Sequence, residues 1–318
     1  MRYADGKSAW KSDSVAMKRR DVIGGLVAFA CVGSRSQCLA TEECSEGFLN
    51  AWQRETDLVA PEDYAAYWRT GTNPKGLVTL DRLENGFNRV LREIDTTPVG
   101  DVPAVWLVYN MGVIVKTRET LFAIDLVHRR ACEIAPRLDF ALVTHNHADH
   151  HMPALYEALD GAGKTVISNF LDNYGAQWNQ KQGMRGGYVR GVKDFRHGDV
   201  EIRTLLTDHN PYLIDFTTAF EIRVGNWTML HSGDCSNVSK LKLAFGRPDL
   251  WIQMSGCGID NVMGEKTLKP KLTAFGHAWE LGHSASARTT AARLKDRLAK
   301  VRAAGGRVFV PLWGERIV

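Results

Sequence analysis

Between Leu80 and Ile94 the apolar residues Leu80, Leu83, Phe87, Val90, Leu91 and Ile94 recur three and four positions apart, a spacing that gathers them on one face of a helix. The chain from Thr41 to that point reads as a helical preface. Its aromatic stripe of Trp52, Tyr64, Tyr67 and Trp68 is either packing or a lid beside a substrate. Past residue 100 the period changes. Short runs rich in β-branched and aromatic residues predict strands over 104–109, 113–116 and 121–125, with a turn at Asn110-Met111-Gly112 between the first two. Further strands are predicted over 140–143, 165–168, 200–206, 219–224, 227–231, 250–254, 271–275 and 307–312. Helices are predicted over 153–159, with Pro153 in the first turn, and from about 287 to 303, capped by Ser284 or Ser286. No internal repeat or linker marks a second domain. Pattern alone gives an α/β or α+β protein.

Charge narrows the choice of partners. The 318 residues carry 40 Lys/Arg and 36 Asp/Glu; seven of the basic and three of the acidic residues fall in 1–40, which leaves 33 of each in 41–318. A neutral body offers no broad basic face, so no nucleic-acid partner is expected. The basic excess sits in a segment laid out as an export address. Met17-Lys18-Arg19-Arg20 is followed by an apolar run over 22–33 and by Cys38-Leu39-Ala40 ahead of a cut. The layout resembles a twin-arginine signal, with 1–16 as an upstream extension, and predicts a periplasmic or secreted protein; a cytoplasmic enzyme with a basic tail is the alternative. The run falls short of the roughly 20 residues that cross a bilayer, so no transmembrane anchor is expected. Cleavage after Ala40 would leave Cys44, Cys132, Cys235 and Cys257, none in C-x-x-C spacing. An oxidising compartment permits a disulfide among them, with the pairing open. Nothing in the pattern specifies an oligomeric state.

The chemistry is concentrated after the strand at 140–143. His145, His147, Asp149 and His150 are four metal-ligating side chains spaced H-x-H-x-D-H, with His151 adjoining. His145 and His147 alternate and project to one side of an extended turn, while Asp149 and His150 come round to face a second point. Imidazole nitrogens with carboxylate oxygen suit a borderline divalent ion, zinc first and iron or manganese behind it. A solvated, histidine-rich loop is the bland alternative. The glycine-rich stretch 169–194 carries Arg185, Tyr188 and Arg190 and reads as a pocket wall or as a plain connecting loop. Arg185 and Tyr188 are its candidate substrate contacts, with Arg185 or Arg190 pairing an anionic group.

The cluster belongs to a longer series. Asp125 closes the strand at 121–125, then come H-x-H-x-D-H, His209 in Thr207-Asp208-His209, Asp234 in His231-Ser232-Gly233-Asp234 and His277 in Phe275-Gly276-His277. This series resembles the signature of the metallo-β-lactamase-fold metallo-hydrolase superfamily, over roughly residues 100 to 318. The resemblance implies an αββα four-layer sandwich with an N-terminal helical extension: a domain over 41–318, with 41–100 as preface and 101–318 as catalytic sandwich. It implies that His145, His147 and His209 hold one ion, that Asp149, His150 and His277 hold the other, and that Asp234 bridges them, with Asp149 and Asp234 as the catalytic carboxylates. Two Zn2+ are expected, with iron or manganese as alternatives. Asp125 would steady the ligand loop through hydrogen bonds, and His283 would support a ligand or touch substrate. His151 has no part in the signature, and His231 reads as a strand residue.

Paired ions lower the pKa of water from about 15.7 to about 7 and can share a hydroxide. No Ser or Cys nucleophile is then needed. The expected activity is hydrolysis of a small-molecule ester, lactone, amide or phosphodiester. An iron-dependent dioxygenase on the same fold is the alternative enzyme. Flavodiiron members place Glu where this chain has His147, which favours hydrolysis. A non-catalytic metal-binding protein is the third reading, and the intact series speaks against it.

Overall fold

The computed structural model describes residues 46–169, 191–255 and 267–318, all within one compact unit, Ala40–Val318. Three helices come first: α1 (Glu46–Asp57), α2 (Pro61–Thr70) and α3 (Val78–Thr96). In α3 the predicted stripe is the buried face, with Leu80, Leu83, Phe87, Val90 and Ile94 each at most 3% exposed. Each such side chain contributes about 1.5–3 kcal/mol by leaving water. The face packs on β1 (Ala104–Tyr109). A glycine in mid-helix costs about 1 kcal/mol relative to alanine, yet α3 carries Gly86. The reason is contact with the chain end, since a Cβ on Gly86 would lie 2.7 Å from the Trp313 carbonyl oxygen.

Two sheets follow. The first runs β1, β2 (Gly112–Lys116), β3 (Leu121–Ile124), β4 (Phe140–Leu142) and β5 (Thr165–Ile167) in spatial order. Its first three strands are antiparallel, and β3, β4 and β5 are parallel. α4 (Pro153–Gly161) connects β4 to β5 and lies against β5. The second sheet contains β6 (Asp194–His197), β7 (Val200–Thr207), β8 (Thr217–Val224), β9 (Trp227–His231), β10 (Leu250–Met254), β11 (Thr273–Gly276) and β12 (Val308–Phe309). Its order is β12-β11-β10-β9-β8-β7-β6, antiparallel from β6 to β9 and parallel from β9 to β12. α5 (Ala291–Ala303) packs on β12 and on α1.

Strands of both sheets feed one apolar core, including Val113, Ile124 and Leu142 from the first and Ile202, Ile222 and Ile252 from the second. This is a mixed α/β sandwich of two sheets with helices outside. Parallel strands buried on both faces read as continuous apolar runs, which is why β4 and β10 were visible as such. The C-terminal tail also seals the edge of β1. Leu107 donates to the Glu315 carbonyl at 3.0 Å, and Ile317 donates to that of Val105 at 2.7 Å. A sheet edge closed in this way cannot recruit another chain.

One local expectation changes, one strand is added and one open alternative is resolved. The helix near the C terminus begins at Ala291, four residues later than expected, because Thr290 supplies the cap by accepting from the Arg293 amide; Ser284 and Ser286 bond to each other instead. β6 was not foreseen, since three of its four side chains are polar and exposed, Phe195 alone packing inward. The aromatic stripe resolves to packing: Trp52 meets Trp279 and Trp313, and Tyr64 meets Tyr67 and Tyr109. No helix among the described residues is long and apolar enough to cross a membrane. The signal-like segment over 1–40, Cys44, Cys257, Arg185, Tyr188 and Arg190 lie outside the described residues. Within them, Cys132 is exposed and Cys235 is buried.

Candidate metal centre

The residues in question leave the ends of five strands. Asp125 follows β3, His145 to His150 follow β4, His209 follows β7, Asp234 follows β9 and His277 follows β11. Asp125, buried and in the left-handed region at φ 48°, organises the first turn. Its Oδ1 accepts from the Thr144 amide at 2.7 Å and its Oδ2 from the Thr144 hydroxyl at 2.7 Å. Having donated its proton there, the hydroxyl can only accept from His145 Nδ1, 2.9 Å away. His145 Nε2 is therefore left with a lone pair. His150 is set the same way, its Nδ1 lying 2.8 Å from Asp125 Oδ2. One carboxylate thus fixes the ring orientation of two imidazoles, as expected for a group that steadies ligands.

The other strand ends are held as firmly. Asp208 accepts from Lys240, from Asn237 and from the Asp215 amide, at 2.5, 2.8 and 3.0 Å, pinning the loop that carries His209. Gly233 sits at φ 51°, and a Cβ there would come within 2.8 Å of the Thr144 side chain. Only glycine lets the Asp234 turn approach the His145 turn so closely. His277, at φ 52°, donates its amide to the Asn110 carbonyl at 3.1 Å.

These elements bring seven side chains together in two groups. His145, His147, His209 and Asp234 form one, and Asp149, His150 and His277 form the other, with the donor atoms of each group within 4.8 Å of one another. Asp234 spans both. Its Oδ2 lies 3.4 Å from His209 Nε2 and 3.9 Å from His145 Nε2, and also 3.6 Å from His277 Nε2. Its Oδ1 lies 3.2 Å from His150 Nε2. Asp149 Oδ2 is 3.0 Å from His277 Nε2. A tetrahedral ion with bonds of about 2.0–2.1 Å separates its donors by about 3.3 Å, so these spacings fit donors around shared ions.

Hydrogen bonding makes the same point. Asp234 Oδ1 and His150 Nε2 are buried without a hydrogen-bond partner although they face each other. Such a cost is ordinarily avoided unless another group satisfies both. Titration follows the crowding of charge. Burial works against a charged His150, but Asp234, Asp149 and Asp125 outweigh it and raise its pKa well above the ordinary value. Burial likewise opposes ionised Asp234, and His150 and His277 overcome it, holding the carboxyl well below its usual range. His145, buried and beside His150, is pushed well down.

Neighbouring histidines stand apart from both groups. His231 reaches the Met111 carbonyl at 2.9 Å and serves the strand framework. His151 stacks on Tyr156 at 5.3 Å. The His283 ring centroid is 6.3 Å from that of His277, and its Nδ1 faces the Glu280 carboxylate at 3.1 Å. Cys235 lies in a smaller apolar cluster with Leu205 and Leu230, 3.0 Å from the Thr207 hydroxyl.

Two contributors were not foreseen. Phe216 sets its ring 5.2 Å from His147 and 5.7 Å from His145, an apolar wall with no sequence signal beyond its aromaticity. Asn110 donates from Nδ2 to Asp149 Oδ2 at 2.9 Å. In the sequence it was legible only as a turn residue.

No family model matches the sequence, and no curated protein matches it. Solved structures do match. The isothiocyanate hydrolase from Delia radicum gut bacteria superposes with a TM-score of 0.53 at 15% identity, over 68% of this chain and 99% of that one. Igni18, a metallo hydrolase from the archaeon Ignicoccus hospitalis, gives 0.51 at 18% identity over 67% and 97%. CmlA, a diiron β-hydroxylase from Streptomyces venezuelae, gives 0.52 at 16% identity over 68% and 54%, so this chain spans about half of its length. The relation at these identities is one of architecture. With two sheets packed between helices and a His/Asp cluster at the strand ends, this chain has the metallo-β-lactamase fold.

Proposed function

We propose that this protein is a dinuclear metal-dependent hydrolase acting on a small-molecule ester, lactone, amide or phosphodiester. The observation that supports the reading most is the pair of donor groups joined through Asp234. His145, His147 and His209 would hold one ion and Asp149, His150 and His277 the other, with Asp234 shared. Bound there, two divalent ions would supply an activated water at neutral pH and polarise the electrophilic oxygen of the substrate.

The chain's own residues do the rest. Asp125 and Thr144 hold His145 and His150 in the tautomers that present Nε2. Phe216 lies against His145, His147 and His209, which limits water on that side. Imidazole-rich donors with two carboxylates suit zinc. An iron-dependent oxygenase is the second reading, favoured by the architecture shared with the diiron β-hydroxylase.

Elemental analysis of the purified protein separates the two. The hydrolase predicts two zinc equivalents per chain, loss of turnover on chelation and its return with added Zn2+, tested on lactone, β-lactam and phosphodiester panels. Tightly held iron with oxygen uptake would favour the oxygenase, and full activity without metal would sink both.

A further inference from the structure

Asn110 touches two of the three members of the second donor group at once, although residues 110, 149 and 277 are far apart in sequence. Its Nδ2 donates to Asp149 Oδ2 at 2.9 Å and approaches the Asp149 carbonyl at 3.4 Å, while its own carbonyl accepts from the His277 amide at 3.1 Å. The residue is 3% exposed. It sits in the turn between β1 and β2 at φ 54°, where glycine carries no steric penalty. An asparagine there brings a buried amide whose Oδ1 has no hydrogen-bond partner. A residue chosen for the turn alone would not need that arrangement. Gly276, just before His277, deepens the contact: a Cβ there would strike Met111 and come within 3.0 Å of the Asn110 carbonyl oxygen. The turn and the His277 strand end are thus built to meet.

We propose that Asn110 is a positioning residue of the second donor group, holding two of its three members, Asp149 and His277, and so setting the metal affinity of that group rather than of the first; the third member, His150, is held by Asp125. The inference rests on the dinuclear reading above. Its amide holds the Asp149 carboxylate with Oδ2 toward His277 and His150, and its carbonyl holds the His277 backbone. The first group has no contact with it in this network, being fixed by Asp125, Thr144 and the Asp208 loop.

Two variants separate side chain from turn. Asn110→Gly keeps the left-handed backbone and the carbonyl to His277 but removes the amide. Asn110→Asp keeps shape and turn tolerance but replaces the donor with a carboxylate oxygen facing Asp149. Stepwise Zn2+ titration against a chromophoric chelator, with native mass spectrometry for stoichiometry, reads both affinities without reference to turnover. In both variants one of the two wild-type affinities should fall about 10- to 100-fold, the loss typical when an outer partner of a ligand is removed, while the other holds. The visible Co2+ spectrum should change for one equivalent only. If wild type binds two ions and both variants bind them with unchanged affinities, the positioning role is wrong. Equal weakening of both ions would reduce Asn110 to a framework residue and overturn it as well. Wild-type protein that binds a single ion would remove the dinuclear reading and this inference with it.

Discussion

Around Glu84, charge is neutralised by direct partners. Tyr67 and Arg129 both donate to its Oε1, Arg130 reaches Oε2 at 3.1 Å, and Arg130 goes on to Asn88 at 2.7 Å and to Glu133 at 2.7 Å. Around Asp234, by contrast, carboxylate and imidazole atoms converge and stop short: Asp234 Oδ1 and His150 Nε2 lack hydrogen bonds while only 3.2 Å apart. Both clusters shift the pKa of their carboxylates downward against the effect of burial. Perturbed titration alone therefore does not mark a site, because ion-pair networks that only join elements also produce it. The difference lies in what remains unsatisfied. The Glu84 cluster is complete in itself and ties α3 to the loop after β3. The Asp234 cluster leaves donor atoms of both kinds facing one another, an arrangement that the proposed ions would satisfy.

The largest expected effect tests that contrast directly. His277→Ala should lose one of two metal equivalents and cut turnover beyond the about 10- to 100-fold that loss of an outer partner costs. His283→Ala should keep both metals even if turnover falls, because its Nδ1 is directed to Glu280 and its ring lies outside both donor groups. Metal analysis of the folded variants decides it; retention by the first and loss by the second would redraw the second group around His283.

This geometry was partly legible beforehand, and the reason is physical. Ligands placed after strands stand next to apolar runs, so Phe140-Ala141-Leu142 before His145 and Thr273-Ala274-Phe275 before His277 advertise both the strand and its end. Positions whose role is relational leave no such trace. Asn110 looks like any turn asparagine until the fold brings it to Asp149. Arg288 looks like a helix residue, yet it is buried and donates to the carbonyls of Val59, Glu280, Leu281 and His283 at 2.8–3.0 Å. β6 escaped because an exposed edge strand need not alternate.

An intermediate effect is expected at the self-contained cluster. Glu84→Gln removes the charge that three donors share and leaves Arg129 and Arg130, whose side chains are 23% and 22% exposed, to water and Glu133. Breaking a buried pair costs about 3–5 kcal/mol and an exposed one at most about 1 kcal/mol. This half-buried case should fall near 2 kcal/mol, read by urea unfolding of the zinc-loaded protein, with metal content unchanged. Lost metal would show that the two clusters are coupled after all.

The smallest effect belongs to His128, beside the same cluster. It is 1% exposed, stacked on Phe87 with ring centroids 4.1 Å apart, and its Nδ1 accepts from the Arg130 amide at 3.2 Å. Burial lowers its pKa to about 4; Arg129 and Arg130 push in the same direction, while Glu84 and Glu133 oppose them. An unfolded chain would titrate this imidazole near 6.5. Because the folded value is depressed, the unfolded state takes up the proton first as pH falls. The neutral ring's contribution is therefore fully present above pH 6.5 and is lost as pH drops toward 4. Between pH 7 and pH 5.5 that loss is about 1 kcal/mol by linkage. Metal affinity is itself pH-dependent, so wild type alone cannot reveal it. In His128→Gln the metal contribution is retained and the His128 one is absent, so the stability gap between wild type and variant should narrow by about 1 kcal/mol from pH 7 to pH 5.5. A gap that stays constant with pH would mean that His128 charges in the folded protein as easily as in the unfolded chain, and that burial against Phe87 does not hold it neutral.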